Sequence, residues 1–322
     1  MSARPRDLPL AEPPAELVLP DTAAAAAAAA GGVPLHRRLL RHSGVLAGGF
    51  LLLLMALVAL FAPWLATRDP VAIDPANRNK RPGFERVVTD AQGREERIVH
   101  WMGTDSLGRD VYSRVVYGAR ISLVVGAAVA AIAVAVGLAI GLVSGYLRWL
   151  DAIVMRIMDG LMAIPGILLA LALVALWGAG LVTVILAIVV PEVPRVVRLV
   201  RSVVLQVREE PYVEAAVAVG TRLPALLWRH VLPNTVAPLI VQGTYIAASA
   251  ILVEAILSFL GVGIPTEIPT WGNIMAEGRT LFRVFPHNIL FPGLFLAVTV
   301  LAVNMLGDGL RDVLDPKLVR RI

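Results

Sequence analysis

The sequence predicts an all-α membrane protein of six transmembrane helices, with a compact polar loop between the fourth and the fifth. Three observations predict it. Of the 322 residues, 57% are hydrophobic and only 16% charged, against roughly 45–50% and about 25% in soluble chains. Several long runs hold almost no charge, and a helix rising about 1.5 Å per residue crosses the hydrocarbon in roughly 20 residues. Arginines gather in alternate connections, the pattern that fixes orientation in a bilayer. Lipid offers no partners to backbone polar groups, so the spans are helical.

The elements follow in chain order. Residues 1–42 hold Pro-rich segments, an alanine tract at 23–30 and Gly31-Gly32, and are expected to form a disordered cytoplasmic tail. The first apolar run begins near Ser43, too far in for a secretory signal and long enough to span. It gives the first span, about 44–65, within a segment 43–66. A long external connection covers 67–119. The core, 120–312, carries five further spans at about 121–146, 157–178, 181–200, 235–260 and 289–310, with the polar loop at 201–234. Residues 313–322 form a second cytoplasmic end. Gly126, Gly137, Gly141 and Gly145 line the second span, several four residues apart, and let helices approach closely.

Basic residues set the topology. His36, Arg37, Arg38 and Arg41 precede span one, and Arg148 and Arg156 separate spans two and three. Arg195, Arg198, Arg201, Arg208, Arg222 and Arg229 cluster after span four, and Arg311, Lys317, Arg320 and Arg321 follow span six. Six spans put all four groups on one side, the cytoplasmic one, with both termini inside. Segment 67–119 is also basic, but long loops translocate largely regardless of charge. The net charge of +5 is explained by these flanking cations and anionic lipid, so nucleic acid is not an expected partner. With no cysteine, disulfides, thiolate catalysis and Cys-based metal sites are excluded.

Within 67–119, Arg86-Val87-Val88-Thr89 and Arg97-Ile98-Val99 flank Asp90-Ala91-Gln92-Gly93, which reads as a hairpin or, alternatively, a flexible connector. The second external loop, 261–288, holds Pro265, Pro269, Trp271, Gly272 and Asn273 and suits a short interfacial helix.

Loop 201–234 is too polar to span and too regular to be slack. Pro211 opens a helix at 212–219, Gly220 interrupts it, and Pro224 opens a second helix to about His230. Leu232-Pro233-Asn234 then turns the chain into span five. Ala215 and Ala216 keep one side of this knob thin enough for another protein to pack against. Glu210, Glu214, Arg222 and Arg229 supply rim charges.

Other candidates point elsewhere. The glycines of Gly103-Thr104-Asp105-Ser106-Leu107-Gly108 have phosphate-loop spacing but lack the Lys and Ser/Thr that contact phosphate and magnesium. Glu254 in span five and Asn304 in span six are candidates for a solute path or for bonding within the bundle, and Asp308 for a structural cap. His230 has no second ligand at metal spacing, and Met155, Met158 and Met162 read as packing.

The run Glu214-Ala215-Ala216, then Gly220, then His230-Val231-Leu232-Pro233-Asn234, resembles the "EAA" loop of bacterial ABC importer permeases. The stretches His100 to Asp110, Tyr117 to Leu123, Phe259 to Gly263, Trp271-Gly272-Asn273 and Leu306 to Asp312, with Leu314-Asp315-Pro316, resemble the C-type permeases of dipeptide and oligopeptide importers. The likeness covers the chain from about Leu35. Pro191-Glu192-Val193-Pro194, expected to end span four, and Thr266-Glu267-Ile268-Pro269 depart from the family's pattern. The resemblance implies a type I permease fold and a coupling helix made by Glu214, Ala215, Ala216, Gly220, His230, Leu232, Pro233 and Asn234. It implies a second related permease, two ATPase subunits that bind ATP and magnesium, and a periplasmic or lipid-anchored solute-binding protein. No catalytic, cofactor or metal residue is expected on this chain. Peptides are the expected solute, with nickel, glutathione or another small solute as alternatives. A stand-alone secondary transporter would leave the knob without a purpose.

Overall fold

The computed structural model describes residues 35–89 and 95–314. The expected disordered tail lies outside them up to residue 34, as do residues 90–94, which include the expected turn Asp90-Ala91-Gln92-Gly93, and residues 315–322. The fold is mostly helical: α1 (Leu35–Leu39), α2 (Ser43–Leu60), α3 (Ala62–Leu65), α4 (Val111–Tyr146), α5 (Arg148–Met162), α6 (Gly166–Trp177), α7 (Leu181–Val207), α8 (Pro211–Ala218), α9 (Leu223–Leu226), α10 (Leu232–Phe259), α11 (Trp271–Gly278) and α12 (His287–Leu314). It is not all-α. Strands β1 (Phe84–Thr89) and β2 (Glu95–His100) pair antiparallel, Phe84 opposite His100 and Thr89 opposite Glu95.

Four helical stretches are long and apolar enough to cross a membrane: Ser43–Leu60, Val111–Tyr146, Leu223–Phe259 and His287–Leu314. A fifth is obtained if α5 and α6 count as one span, although they are bent by 86°. The expected straight third span is thus broken. Pro165 precedes α6, and its fixed φ and missing N–H stop α5 from running on. The fourth differs in the other direction. Helix α7 continues through Pro191 and Pro194 to Val207 instead of ending at them. An internal proline costs about 3 kcal/mol, and burial of Val189, Val193, Val196, Val197, Val200 and Val204 on neighbouring helices offsets it. Glu192, Arg195 and Arg198 make α7 more polar than the other spans.

The core sits where α4 meets α7. A Cβ added to Gly137, Gly141 or Gly145 would come within 2.5, 2.7 or 3.0 Å of the Cβ of Val196, Val200 or Val204. The four-residue glycine row is therefore a flat strip into which a valine row fits, and bundle packing accounts for it. Gly126 meets Ile251 of α10 in the same way, at 2.8 Å. Helix α2 lies on α12, where Gly48 faces the Leu306 and Ala302 backbone and Gly309 faces Val45.

Beyond the bundle the hairpin, a short turn at Pro75–Asn77 and α11 form an ordered module around the start of α4. Asp110 caps α4 by accepting from the Ser113 N–H at 2.8 Å, and its other oxygen meets His100 Nδ1 at 2.8 Å. Gly108, at φ +81°, lies so close to the Asp74 carbonyl that a Cβ would sit 1.8 Å from it. The phosphate-loop-like glycines thus serve backbone contact. Arg109 bonds Asp105 at 2.7 Å and also Glu277 of α11, while fully buried Arg114 reaches Glu277 at 3.3 Å. Burial holds the Glu277 carboxyl above its ordinary range against the pull of Arg114 and Arg109. Trp271 is fully buried and donates its indole N–H to the Val115 carbonyl at 3.0 Å. Asn273 completes a capping box with Thr270. The short helix expected here is thus formed, with Trp271, Gly272, Asn273, Ile274 and Gly278 buried against the bundle.

Candidate functional site

The knob begins where α7 ends. Pro211 in the first turn starts α8, its absent N–H being one that no helix start can satisfy. Gly220 stops α8 with φ +81°. The Gly220 N–H bonds the Val217 carbonyl at 2.9 Å and the Thr221 N–H bonds Ala216 at 3.0 Å, a Schellman closure that uses the left-handed glycine. Pro224 then opens α9.

Helix α9 does not turn before span five. It passes through a π-helical turn at Leu227–Val231, which holds Arg229 and His230, straight into α10. Leu232, half-buried, and Pro233, exposed, lie in the first turn of α10, where proline is tolerated. The result is one rod, Leu223–Phe259, of 37 residues, about 55 Å long. The expected turn at Leu232-Pro233-Asn234 is absent because an extra residue per turn, and not a loop, absorbs the change in direction.

The knob has two faces. Val213, Ala216, Leu226 and Val231 are buried and join the same core as Val200 and Val204. Tyr212, Glu214, Ala215, Val217, Val219 and Trp228 are exposed, Val219 to 84% and Trp228 to 75%. The two alanines therefore do not share a thin side. Ala216 anchors the knob inward and Ala215 faces out with Glu214. Asn234 ties the parts together. Its side-chain amide donates to the Tyr212 hydroxyl at 3.1 Å and to the His230 carbonyl at 2.7 Å. The Tyr212 and His230 rings lie 6.2 Å apart. From the other side, the Arg201 guanidinium clasps the Asp151 carboxylate, with Nη2 to Oδ2 at 2.6 Å. The sequence reading missed the Tyr212 hydroxyl, Trp228 and the Asp151–Arg201 clasp. Only the spacing of Tyr212 one residue into a helix start hinted at the first.

A cavity of about 510 Å³ opens beside the knob, lined by Leu199, Asn234, Pro238, Gln242, Tyr245 and Arg311 among others. The Tyr245 hydroxyl donates to the exposed Asp308. Neither expected path residue lines it. Glu254 is fully buried, accepts from the Ser258 hydroxyl at 2.8 Å and leaves Oε2 without a bonded partner. Asn304 is half-buried on α12.

Comparison with known proteins gives this geometry a context. The family described as binding-protein-dependent transport system inner membrane component matches residues 133–320. The N-terminal TM domain of oligopeptide transport permease C matches residues 35–82. A probable peptide ABC transporter permease of Sinorhizobium fredii is 55% identical over 87% of this chain and 91% of its own length. A dipeptide transport system permease of Alkalihalophilus pseudofirmus is 40% identical, covering 88% of each chain. A glutathione transport system permease of Escherichia coli is 40% identical over 88% of this chain and 89% of its own. The chain belongs to the family of binding-protein-dependent transport-system inner membrane components, the multi-pass permease subunits of ABC importers.

Proposed function

We propose that this permease carries short peptides, and that its α8–α9 knob is the coupling element that receives the stroke of separate ATPase subunits. The observation that carries the reading is the unbroken rod from the knob into α10. A push on α9 moves the whole of span five, because no flexible joint intervenes. Glu214, Ala215 and Gly220 present or shape the docking face, while Ala216, His230, Leu232, Pro233 and Asn234 fix it to the bundle. ATP and magnesium belong to the partner chains, and no catalytic step is assigned to this one.

The relatives support the solute class: the most similar of those named above is called a peptide transporter. Glutathione is itself a tripeptide, so that relative points to the same class. Counting α6, as the crossing half of the broken α5–α6 pair, and polar α7 with the four apolar rods gives six spans. An even number leaves both ends of the chain and the knob on one side; the flanking arginines support the cytoplasm of a bacterial inner membrane for that side, with the hairpin module outside beside a solute-binding protein. A second, related permease completes the path. Glu254 is assigned to bundle bonding in place of the path; Asn304 remains a path candidate.

Uptake of a labelled dipeptide by cells carrying Gly220→Pro or Glu214→Lys tests the coupling role. Both variants are expected at normal levels in the membrane with uptake reduced at least about tenfold, a barrier change near 1.4 kcal/mol. Wild-type uptake by both would remove the knob from the mechanism.

A further inference from the structure

Helix α5 has a charge arrangement that the transport reading leaves unused. Its two acids are both paired to α7: half-buried Asp151 with Arg201, and exposed Asp159 with Arg198. Its two cations, Arg148 and Arg156, are exposed and form no ion pair among the described residues. Beside them on the helix runs an exposed apolar row, Trp149, Ile153 and Ile157, open to 67%, 54% and 55%. On the opposite side Met158 is buried and Val154, Met155 and Leu161 pack on the core.

The 86° break from α6 gives the direction of α5, and the two ion pairs accord with it. Asp151 and Asp159 are eight residues apart, about 12 Å along α5. Their partners Arg201 and Arg198 are three apart, about 4.5 Å along α7. Helix α5 therefore runs across α7, in agreement with its 86° break from α6. If α6 and α7 cross the bilayer, α5 lies close to the membrane plane at the knob end.

We propose that α5 seats its Trp149–Ile153–Ile157 row in the cytoplasmic lipid interface, with Arg148 and Arg156 on the phosphates of anionic lipid. The inference rests on the cytoplasmic placement of the knob. The occupant is chosen by charge. Both acids are paired to arginines of α7, so the open face is apolar with one positive edge, which is the complement of an anionic leaflet. Tryptophan suits the same depth, and long arginine stems let the charge reach out while the stem stays on apolar surface. Because α5 is clasped to α7, which leads into the knob, the lipid surface then sets the position from which the knob is driven.

The test uses the assembled importer in nanodiscs containing phosphatidylglycerol, with benzoyl-phenylalanine in place of Ile153. Illumination is expected to give a phospholipid adduct on the α5 peptide. An adduct with the second permease or another protein overturns the proposal. In parallel, uptake by proteoliposomes is measured against phosphatidylglycerol content for the parent and for Arg148→Gln/Arg156→Gln. The parent is expected to gain severalfold with anionic lipid and the variant to lose most of that gain. Equal lipid dependence in the two, or none in the parent, rejects the lipid seat while leaving uptake itself, and so the permease reading, intact.

Discussion

Asn234 binds three pieces of the knob at once through the Tyr212 hydroxyl and the His230 carbonyl, so small changes there reach the coupling face. A hydrogen bond of this kind contributes about 0.5–1.5 kcal/mol. Tyr212→Phe is therefore expected to fold normally but to loosen α8 against the rod. Measured in proteoliposomes, peptide moved per ATP hydrolysed should fall about two- to threefold while ATPase activity persists. At the other end, Asp74 is held below the ordinary carboxylate range, first by the Asn77 amide and then by Arg86. Its folded value is depressed, so its stabilisation is present above the unfolded value of 3.8 and is lost as pH falls through the lower folded one. Asp74→Asn should abolish that acid-sensitive part of hairpin protection, followed by amide exchange of β1 and β2 as pH is lowered. The helix stop at Gly220 was legible from spacing, whereas the inward turn of Ala216 was not, because adjacent alanines differ only by the 100° step of the helix.

At the scale of elements, helices declared themselves by length and apolarity wherever packing and propensity agreed. The second and sixth spans sit inside the observed α4 and α12, and the fifth ends within one residue of α10. The misses came at prolines. Pro165 breaks the third span where no loop was expected, and Pro191 and Pro194 fail to end the fourth. Proline fixes the local cost, but tertiary packing decides whether it is met, and a single sequence does not display that packing. The glycine row of α4 was legible as a stripe; its valine counterpart on α7 was not, since valines are common in any span. Gly141→Leu forces a large side chain where a Cβ alone would lie 2.7 Å from Val200. Overpacking of this kind costs about 1–3 kcal/mol or more. The variant should separate α4 from α7 and reduce membrane-inserted protein several-fold on immunoblots. Gly49, with nothing within 4 Å of an added Cβ, should accept alanine without loss.

At the scale of the molecule, the hairpin module and the knob stand at opposite ends of α10, one fastened by buried ion pairs and the other by a half-buried apolar face. The module, with Arg109, Arg114 and Glu277 interlocked, is built to hold still. The knob keeps Val219 and Trp228 open, the face that the proposed function gives to the ATPase. In the proposed cycle the rod joins a fixed end to a driven one and converts a push into tilt, which is what alternating access needs. The decisive measurement places benzoyl-phenylalanine at Val219 in intact cells and asks what it captures. The account predicts an adduct with the ATPase subunit, abolished when the Glu214→Lys change is added. Capture of the external solute-binding protein, or no ATPase adduct while uptake proceeds normally, would contradict it.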